Sequence, residues 1–235
     1  MILFVTDSLG GPRFSPEQLY FQDTWVYKVR DHLKNMGVET HSIVCYGLDS
    51  HQVRYDLLRF LPYYKPDLIV YQIGICDCAP RAISTAELRL IKYLPGRIQS
   101  LVRRIIRRYF KKLTVVRDIS NIDLFSFQEN IRHISKQFNS IFIPIAPVCD
   151  GYVKVTPLIR QRAIEYNEVL KKHSQFWLDE YVNSPKELIE NMFVSDHHHL
   201  NNFGQEYLTK LILNNPYLMG RLTKNEGLKA CAFEK

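Results

Sequence analysis

The chain opens on an unbroken apolar run, Ile2-Leu3-Phe4-Val5, that stops at Thr6-Asp7-Ser8-Leu9-Gly10-Gly11. Such a run, bounded by small polar residues, predicts a fully buried strand, and the two glycines predict a sharp backbone turn at its carboxyl end. Ser15-Pro16-Glu17-Gln18 has the capping-box pattern with proline at the first helical position, which predicts a helix start. Trp25, Val26, Val29, Leu33 and Met36 then recur at helical spacing up to Gly37. Residues 38–45 predict a second strand ending at Tyr46-Gly47, and residues 50–61 a helix closed by Pro62. Leu68-Ile69-Val70-Tyr71-Gln72-Ile73 predicts a third strand, ended by Gly74.

After an interruption at residues 79–125, the alternation resumes with a strand at 140–146, a helix at 158–172, a short strand at 176–181 and a brief helix at 186–192. Ser195-Asp196-His197-His198-His199-Leu200-Asn201-Asn202 reads as a polar loop, and Asn202 with Gln205 is placed to cap a helix at 203–213. Strands alternating with helices predict an α/β chain: a three-layer α/β/α arrangement around a parallel sheet of about five strands. Residues 1–215 read as a single domain with a helical insertion at 79–125, and 216–235 as a loosely attached tail.

Composition agrees with a folded protein that has a sizeable core, at 46% hydrophobic and 23% charged residues. No apolar run approaches the ~18 residues of a membrane-spanning helix. Cys45, Cys76, Cys78, Cys149 and Cys231 are odd in number and widely spaced, and the start shows neither a charged n-region nor a cleavage site. This predicts free thiols in a reducing compartment, hence a cytoplasmic location. Cys76-Asp77-Cys78 is too close a pair for a zinc half-site, and no metal is expected.

Charge changes the picture in one place. Ten Lys or Arg and no acid lie between Leu88 and Arg117, so the net +7 of the chain leaves −3 (7 less 10) for everything else. There Leu101, Val102, Ile105, Ile106, Tyr109, Phe110 and Leu113 form one helical stripe, and Arg103, Arg104, Arg107, Arg108, Lys111 and Lys112 another. The pair of stripes suits a core-packed helix with a solvated basic face. It suits as well a helix that docks on an anionic membrane surface, at the inner face of the membrane, or one that grips an acidic or phosphorylated substrate. Nucleic acid is not an expected partner, because no recognised motif or aromatic platform accompanies the basic run.

Ser8 falls just past the carboxyl end of the first strand, where open α/β sheets bind their ligands. A serine hydroxyl acts as a nucleophile only beside a base held by a third group, and Asp196-x-x-His199 supplies both in one loop. Three residues of separation let the carboxylate fold back onto Nδ1 and leave Nε2 free to take a proton. His197 and His198 read as structural or rim residues. The same residues also fit a turn that merely caps a helix, and a His-rich loop that is solvated or binds metal adventitiously.

Thr6-Asp7-Ser8-Leu9 resembles the Gly-Asp-Ser-Leu block, and Asp196-His197-His198-His199-Leu200 the Asp-x-x-His-Leu block, of the SGNH (GDSL) hydrolases. Gly47 stands where that family places an oxyanion glycine, and Gly74-Ile75-Cys76-Asp77 at its Gly-x-Asn-Asp block. The resemblance implies a flavodoxin-like fold and acyl-ester chemistry without a cofactor. It makes Ser8 the nucleophile, His199 the general base and acid, and Asp196 the group that orients the imidazole. The oxyanion would be held by the N–H groups of Ser8 and Gly47. The family's third donor, an asparagine side chain, is Cys76 here, whose thiol is a weak donor. Asp7, Gly74 and Asp77 are expected to support the site's loops. Cys78-Ala79-Pro80-Arg81 resembles SGNH proteins of bacterial surface-polysaccharide clusters, which carry a basic insertion at this point; that implies an acylated carbohydrate or glycolipid as substrate. An esterase, a sugar O-acyltransferase with the same acyl-enzyme, and a weakened binding protein of this fold all remain open.

Overall fold

The computed structural model describes residues 1–223. Along the chain run β1 (Ile2–Thr6), α1 (Trp25–Asn35), β2 (Thr40–Val44), α2 (Ser50–Gln52, continued by a π turn at Val53–Leu57), β3 (Leu68–Gln72) and α3 (Ile75–Cys78). An excursion follows through β4 (Pro80–Arg81), α4 (Thr85–Lys92), α5 (Gly96–Arg108), α6 (Phe110–Arg117) and β5 (Ile119–Ser120). The domain then continues with α7 (Leu124–Gln137), β6 (Ser140–Phe142), α8 (Asp150–Val155), α9 (Ile159–His173), α10 (Asp179–Val182), α11 (Lys186–Asn191), α12 (Asn202–Leu213) and α13 (Pro216–Thr223).

Parallel ladders join β1 to β2 and to β3, and β3 to β6, giving the order β2-β1-β3-β6. Crossovers of this kind are right-handed. The step outward from β1 to β2 and the step back across to β3 therefore put α1 and α2 on opposite faces of the sheet. α12 packs with α1 and α13, whereas α7 packs with α2 and α9. With helices covering both faces, every residue of β1 and β3 is buried, which is why both strands read as continuous apolar runs. The strand order reverses between β1 and β3, and the crevice beyond their carboxyl ends is the position where such sheets bind ligands.

The sheet has four strands among the described residues, not five. Residues 176–181 bury Phe176, Leu178 and Tyr181, yet their backbone joins no ladder. The Ser174 hydroxyl donates to the carbonyl of Phe176 and lies against its N–H, and the chain coils directly into α10. The predicted strand at 140–146 is also cut to three residues. Ile143 still donates to the carbonyl of Tyr71 at 2.8 Å, but Pro144 has no N–H to offer. Beyond it the Asn167 side chain replaces the sheet, accepting from Ile145 N at 2.8 Å and donating to its carbonyl at 3.2 Å.

No helix begins at Ser15. Residues 15–18 are all exposed, and Arg13 and Leu19 exchange backbone hydrogen bonds of 3.0 and 2.8 Å that close residues 13–19 into a loop. The helix starts where the apolar period starts, with the Thr24 hydroxyl accepting from Tyr27 N. At the other end, Asn201 rather than Asn202 caps α12, accepting from Gly204 N at 2.9 Å.

The excursion leaves and returns through the antiparallel pair β4–β5. Its long apolar stripe is broken at Tyr109 between α5 and α6, and α5 buries none of its residues, so it is not a core-packed helix. Residues 216–223 are not a tail: α13 buries Leu218 and Leu222 against the core. Residues 224–235, including Cys231, lie outside the described residues. Among the described residues no helix is long and apolar enough to cross a membrane.

Candidate active site

The first turn after β1 is a single 3₁₀ turn, Ser8–Gly10, capped by Asp7, whose Oδ1 accepts from Leu9 N at 2.8 Å. Ser8 is the first residue of that turn, so its N–H has no intrahelical partner. Gly10 and Gly11 do not serve by adopting positive φ, which among the described glycines belongs to Gly37, Gly47 and Gly74. Gly10 serves by being small: a Cβ there would lie 2.5 Å from Thr6 Oγ1 and 2.8 Å from Val26. Its absence lets α1 close down on the turn.

The histidine loop is pinned at both ends. Phe193 and Leu200 form a backbone bridge, and Val194 N donates to the carbonyl of His199 at 3.0 Å. The Asn201 amide donates to the carbonyls of Asn191 and Phe193 at 2.8 and 3.2 Å while its oxygen caps α12. His197 takes the left-handed conformation, with φ of 66°, and its ring leaves no room for a Cβ on Gly151 of α8. His198 stacks on Tyr152 with ring centroids 5.4 Å apart and donates its N–H to Asp196 Oδ1. Both thus shape the loop.

Across the crevice the loop meets the turn. His199 Nε2 lies 3.0 Å from Ser8 Oγ, and His199 Nδ1 lies 2.7 Å from Asp196 Oδ2. The other carboxylate oxygen, Oδ1, accepts the N–H groups of His198 and His199, each at 3.0 Å. Burial by itself raises the Asp196 carboxyl, but these N–H and imidazole hydrogen bonds outweigh it and hold the group below the usual carboxylate range. Burial lowers the His199 imidazole, opposed by its bond to Asp196 and reinforced by His198 and Arg13, so the ring is a neutral base at neutral pH. Asp196, His198 and His199 also bring ligand-type atoms within 4.8 Å of one another. Both ring nitrogens of His199 are already engaged with Asp196 and Ser8, which leaves that cluster poorly arranged for a metal.

Gly47 (φ 75°) makes the turn beyond β2, and Gly74 (φ 118°) begins α3 with Ile145 so close that no Cβ fits. Cys76 follows on α3, half-buried. Burial, with the charges of Asp7 and Asp77 added, pushes its thiol up to about 12, so it stays protonated and can only donate weakly. Asp77 Oδ1 accepts from Ser50 N at 2.9 Å and ties α3 to the start of α2. Asp7 and Asp77 are buried with one oxygen each left unpartnered among the described residues, and burial lifts both carboxyls to about 7.

No family model matches the chain, and no curated protein matches its sequence. Solved structures match it over most of its length. The lipase/acylhydrolase from Enterococcus faecalis shares 19% identity at a TM-score of 0.58, over 94% of this chain and 95% of that one. A GDSL-like lipase from Bacteroides thetaiotaomicron shares 14% identity at 0.55, over 91% and 85%. The chain has the GDSL-hydrolase fold. A further structure with this fold is a catalytic mutant of Axe2, an acetylxylan esterase from Geobacillus stearothermophilus, at 15% identity and a TM-score of 0.56 over 91% and 92%. The catalytic mutants of that esterase replace a serine, an aspartate and a histidine, the last two spaced as Asp196 and His199 are here.

Two residues to which the sequence pattern gives no site role, Gln205 and Arg13, border the Ser8 turn and the histidine loop. Gln205 looks like a capping residue, but it is completely buried: its Nε2 donates to the carbonyl of Leu9 at 3.0 Å and its Oε1 accepts from Trp25 N at 2.8 Å. Arg13 is only 9% exposed, and its Nε and Nη1 have no hydrogen-bond partner among the described residues. It makes no ion pair with Asp196, yet it is near enough to feel that charge and to depress the His199 imidazole. Gln205 carries only a capping pattern in the sequence and an arginine after a Gly-Gly-Pro turn carries none, so neither points to the site.

Proposed function

We propose that the chain is a serine esterase that removes an acyl group, acetyl above all, from a carbohydrate or glycolipid. One observation carries this reading: the unbroken relay from Ser8 Oγ to His199 Nε2 at 3.0 Å and from His199 Nδ1 to Asp196 Oδ2 at 2.7 Å. The GDSL-hydrolase fold supports it, as does the matching spacing of the residues mutated in the acetylxylan esterase.

In the first half-reaction Ser8 Oγ attacks the ester carbonyl carbon while His199 Nε2 takes the hydroxyl proton. The carbonyl electron pair moves to oxygen, where the N–H groups of Ser8 and Gly47 and the Cys76 thiol are the available donors. As the tetrahedral intermediate collapses, the bond to the sugar oxygen breaks and His199 returns its proton to that oxygen. Water then attacks the acyl-enzyme with His199 again as base; the bond from the acyl carbon to Ser8 Oγ breaks, His199 returns the proton to Oγ, and the carboxylic acid leaves. Asp196 stays ionised throughout and holds the imidazole in the tautomer with its proton on Nδ1. A thiol where an amide would donate makes the oxyanion site weak; losing one such donor costs about 10²–10³ in rate, roughly 3–4 kcal/mol. Slow turnover is therefore expected.

The test is acyl release from p-nitrophenyl acetate and from acetylated sugars, comparing the wild type with Ser8→Ala. Release by the wild type alone is the expected result; equal release by both proteins removes the proposal.

A further inference from the structure

The basic excursion presents a helix with an apolar line left exposed among the described residues. Ile98, Leu101, Ile105 and Tyr109 follow one another at three- and four-residue steps along α5 and remain 48%, 54%, 47% and 48% exposed. Val102 and Ile106, next round the helix, are half-buried and form the edge that faces the protein. On the opposite border Arg97, Arg104 and Arg108 form the adjoining line, and Arg103 and Arg107 lie further round. Among the ten cations between Leu88 and Arg117, Arg117 pairs with Glu87 at 2.8 Å, and no other has a carboxylate partner among the described residues. Where α5 breaks into α6, an open groove of about 670 Å³ has Ile106, Phe110 and Val155 as apolar walls and Arg107, Lys111 and Lys112 on its rim.

We propose that α5 and the start of α6 dock this protein on an anionic lipid bilayer. α5 would lie in the plane of the interface with Ile98, Leu101, Ile105 and Tyr109 inserted among the upper acyl chains. The neighbouring arginines would reach the phosphates, their long stems covering the boundary. At 1.5 Å per residue its 13 residues make a contact line of about 20 Å. Charge complementarity selects this occupant. From Leu88 to Arg117 the excursion carries ten cations and no acid, which suits a lattice of identical anions. A protein partner is specified by both signs around a core depleted of charge, and a second copy of this chain would bring an equally cationic surface against it. The proposal stands independently of the chemistry at Ser8.

The full chain is tested by co-sedimentation with phosphatidylcholine vesicles, with and without phosphatidylglycerol, at low and high salt. Binding is expected only with phosphatidylglycerol, weakening steeply with salt as the screening length shrinks. The paired variant Leu101→Ser with Ile105→Ser, exposed enough to leave the melting temperature unchanged, should lose at least tenfold in vesicle affinity. So should Arg104→Gln with Arg108→Gln. Leu101→Trp should shift its emission to the blue on phosphatidylglycerol vesicles. Failure to bind them at low salt overturns the proposal. So does binding that survives in the Leu101→Ser and Ile105→Ser variant, because the surface would then only attract polyanions. Self-association of the wild type that this variant abolishes would likewise overturn it, by showing a second copy on the stripe.

Discussion

Gln205, on the last long helix, donates its amide to the carbonyl of Leu9, the residue after Ser8. The same side chain accepts the N–H of Trp25 at the start of α1, so one glutamine fastens the Ser8 turn to both helices beside it. Gln205→Leu keeps the volume but leaves the Leu9 carbonyl and the Trp25 N–H buried and unpaired, at about 1–3 kcal/mol each. The melting temperature should fall by about 5 °C or more, and the folded fraction should turn over more slowly as the Ser8 turn loosens. A melting curve and kcat for the variant check this; a melting temperature within about 1 °C of wild type would show the tie to be energetically empty.

The pH profile should report His199. It accepts the Ser8 proton only when neutral, so kcat/KM falls as pH drops through its pKa, and burial places that limb below the ordinary imidazole range. Arg13 adds to the depression. Arg13→Met removes a positive charge, raises the imidazole pKa and should move the acid limb to higher pH. If the limb stays where it is, Arg13 does not act on His199.

Asp7 makes stability depend on pH in the opposite sense to a salt-bridged acid. Burial lifts its folded-state carboxyl to about 7, above the ordinary 3.8, so the folded protein keeps a proton that the unfolded chain gives up. The stability this supplies is complete below about pH 4 and is lost as pH rises through about 7. Asp7→Asn keeps an acceptor for Leu9 N and cannot ionise. Melting curves should show the variant gaining on wild type between about pH 5 and about pH 8; parallel pH slopes for the two proteins would contradict the assignment.

Cys76 should limit the rate. Cys76→Asn restores the amide that the family resemblance expects at this position, and kcat/KM on p-nitrophenyl acetate should rise, on the order of 10²-fold if the amide reaches the oxyanion. No gain would favour the second reading of this site, a GDSL-type fold that binds without turning over.

The sequence showed most clearly what depends on local pattern. β1 and β3 are legible because they are buried on both faces and so have no polar position to interrupt them. Nothing local ties residue 8 to residue 199; their closeness, 3.0 Å between Ser8 Oγ and His199 Nε2, was to be expected only through the resemblance that their two blocks carry. What failed to show was tertiary. A strand at 176–181 and a longer β6 looked equally apolar in sequence, but Ser174, Pro144 and Asn167 redirect their backbone hydrogen bonds. α7 went unread behind the basic run, although Phe127, Ile131 and Ile134 follow an Asp123 cap at helical spacing. The capping box at Ser15 had a local signal with no apolar face behind it, and α13 had an apolar face whose burial depends on the neighbouring α12.

Labelling with a serine-reactive fluorophosphonate, followed by mass-spectrometric mapping of the modified residue, tests the active-site account without knowledge of the substrate. The account predicts one modified serine, Ser8, with labelling lost in Ser8→Ala and strongly slowed in His199→Ala while both variants keep the wild-type fold. An unlabelled Ser8 in the folded wild-type protein, or labelling of Ser8 that proceeds as fast without His199, would contradict it.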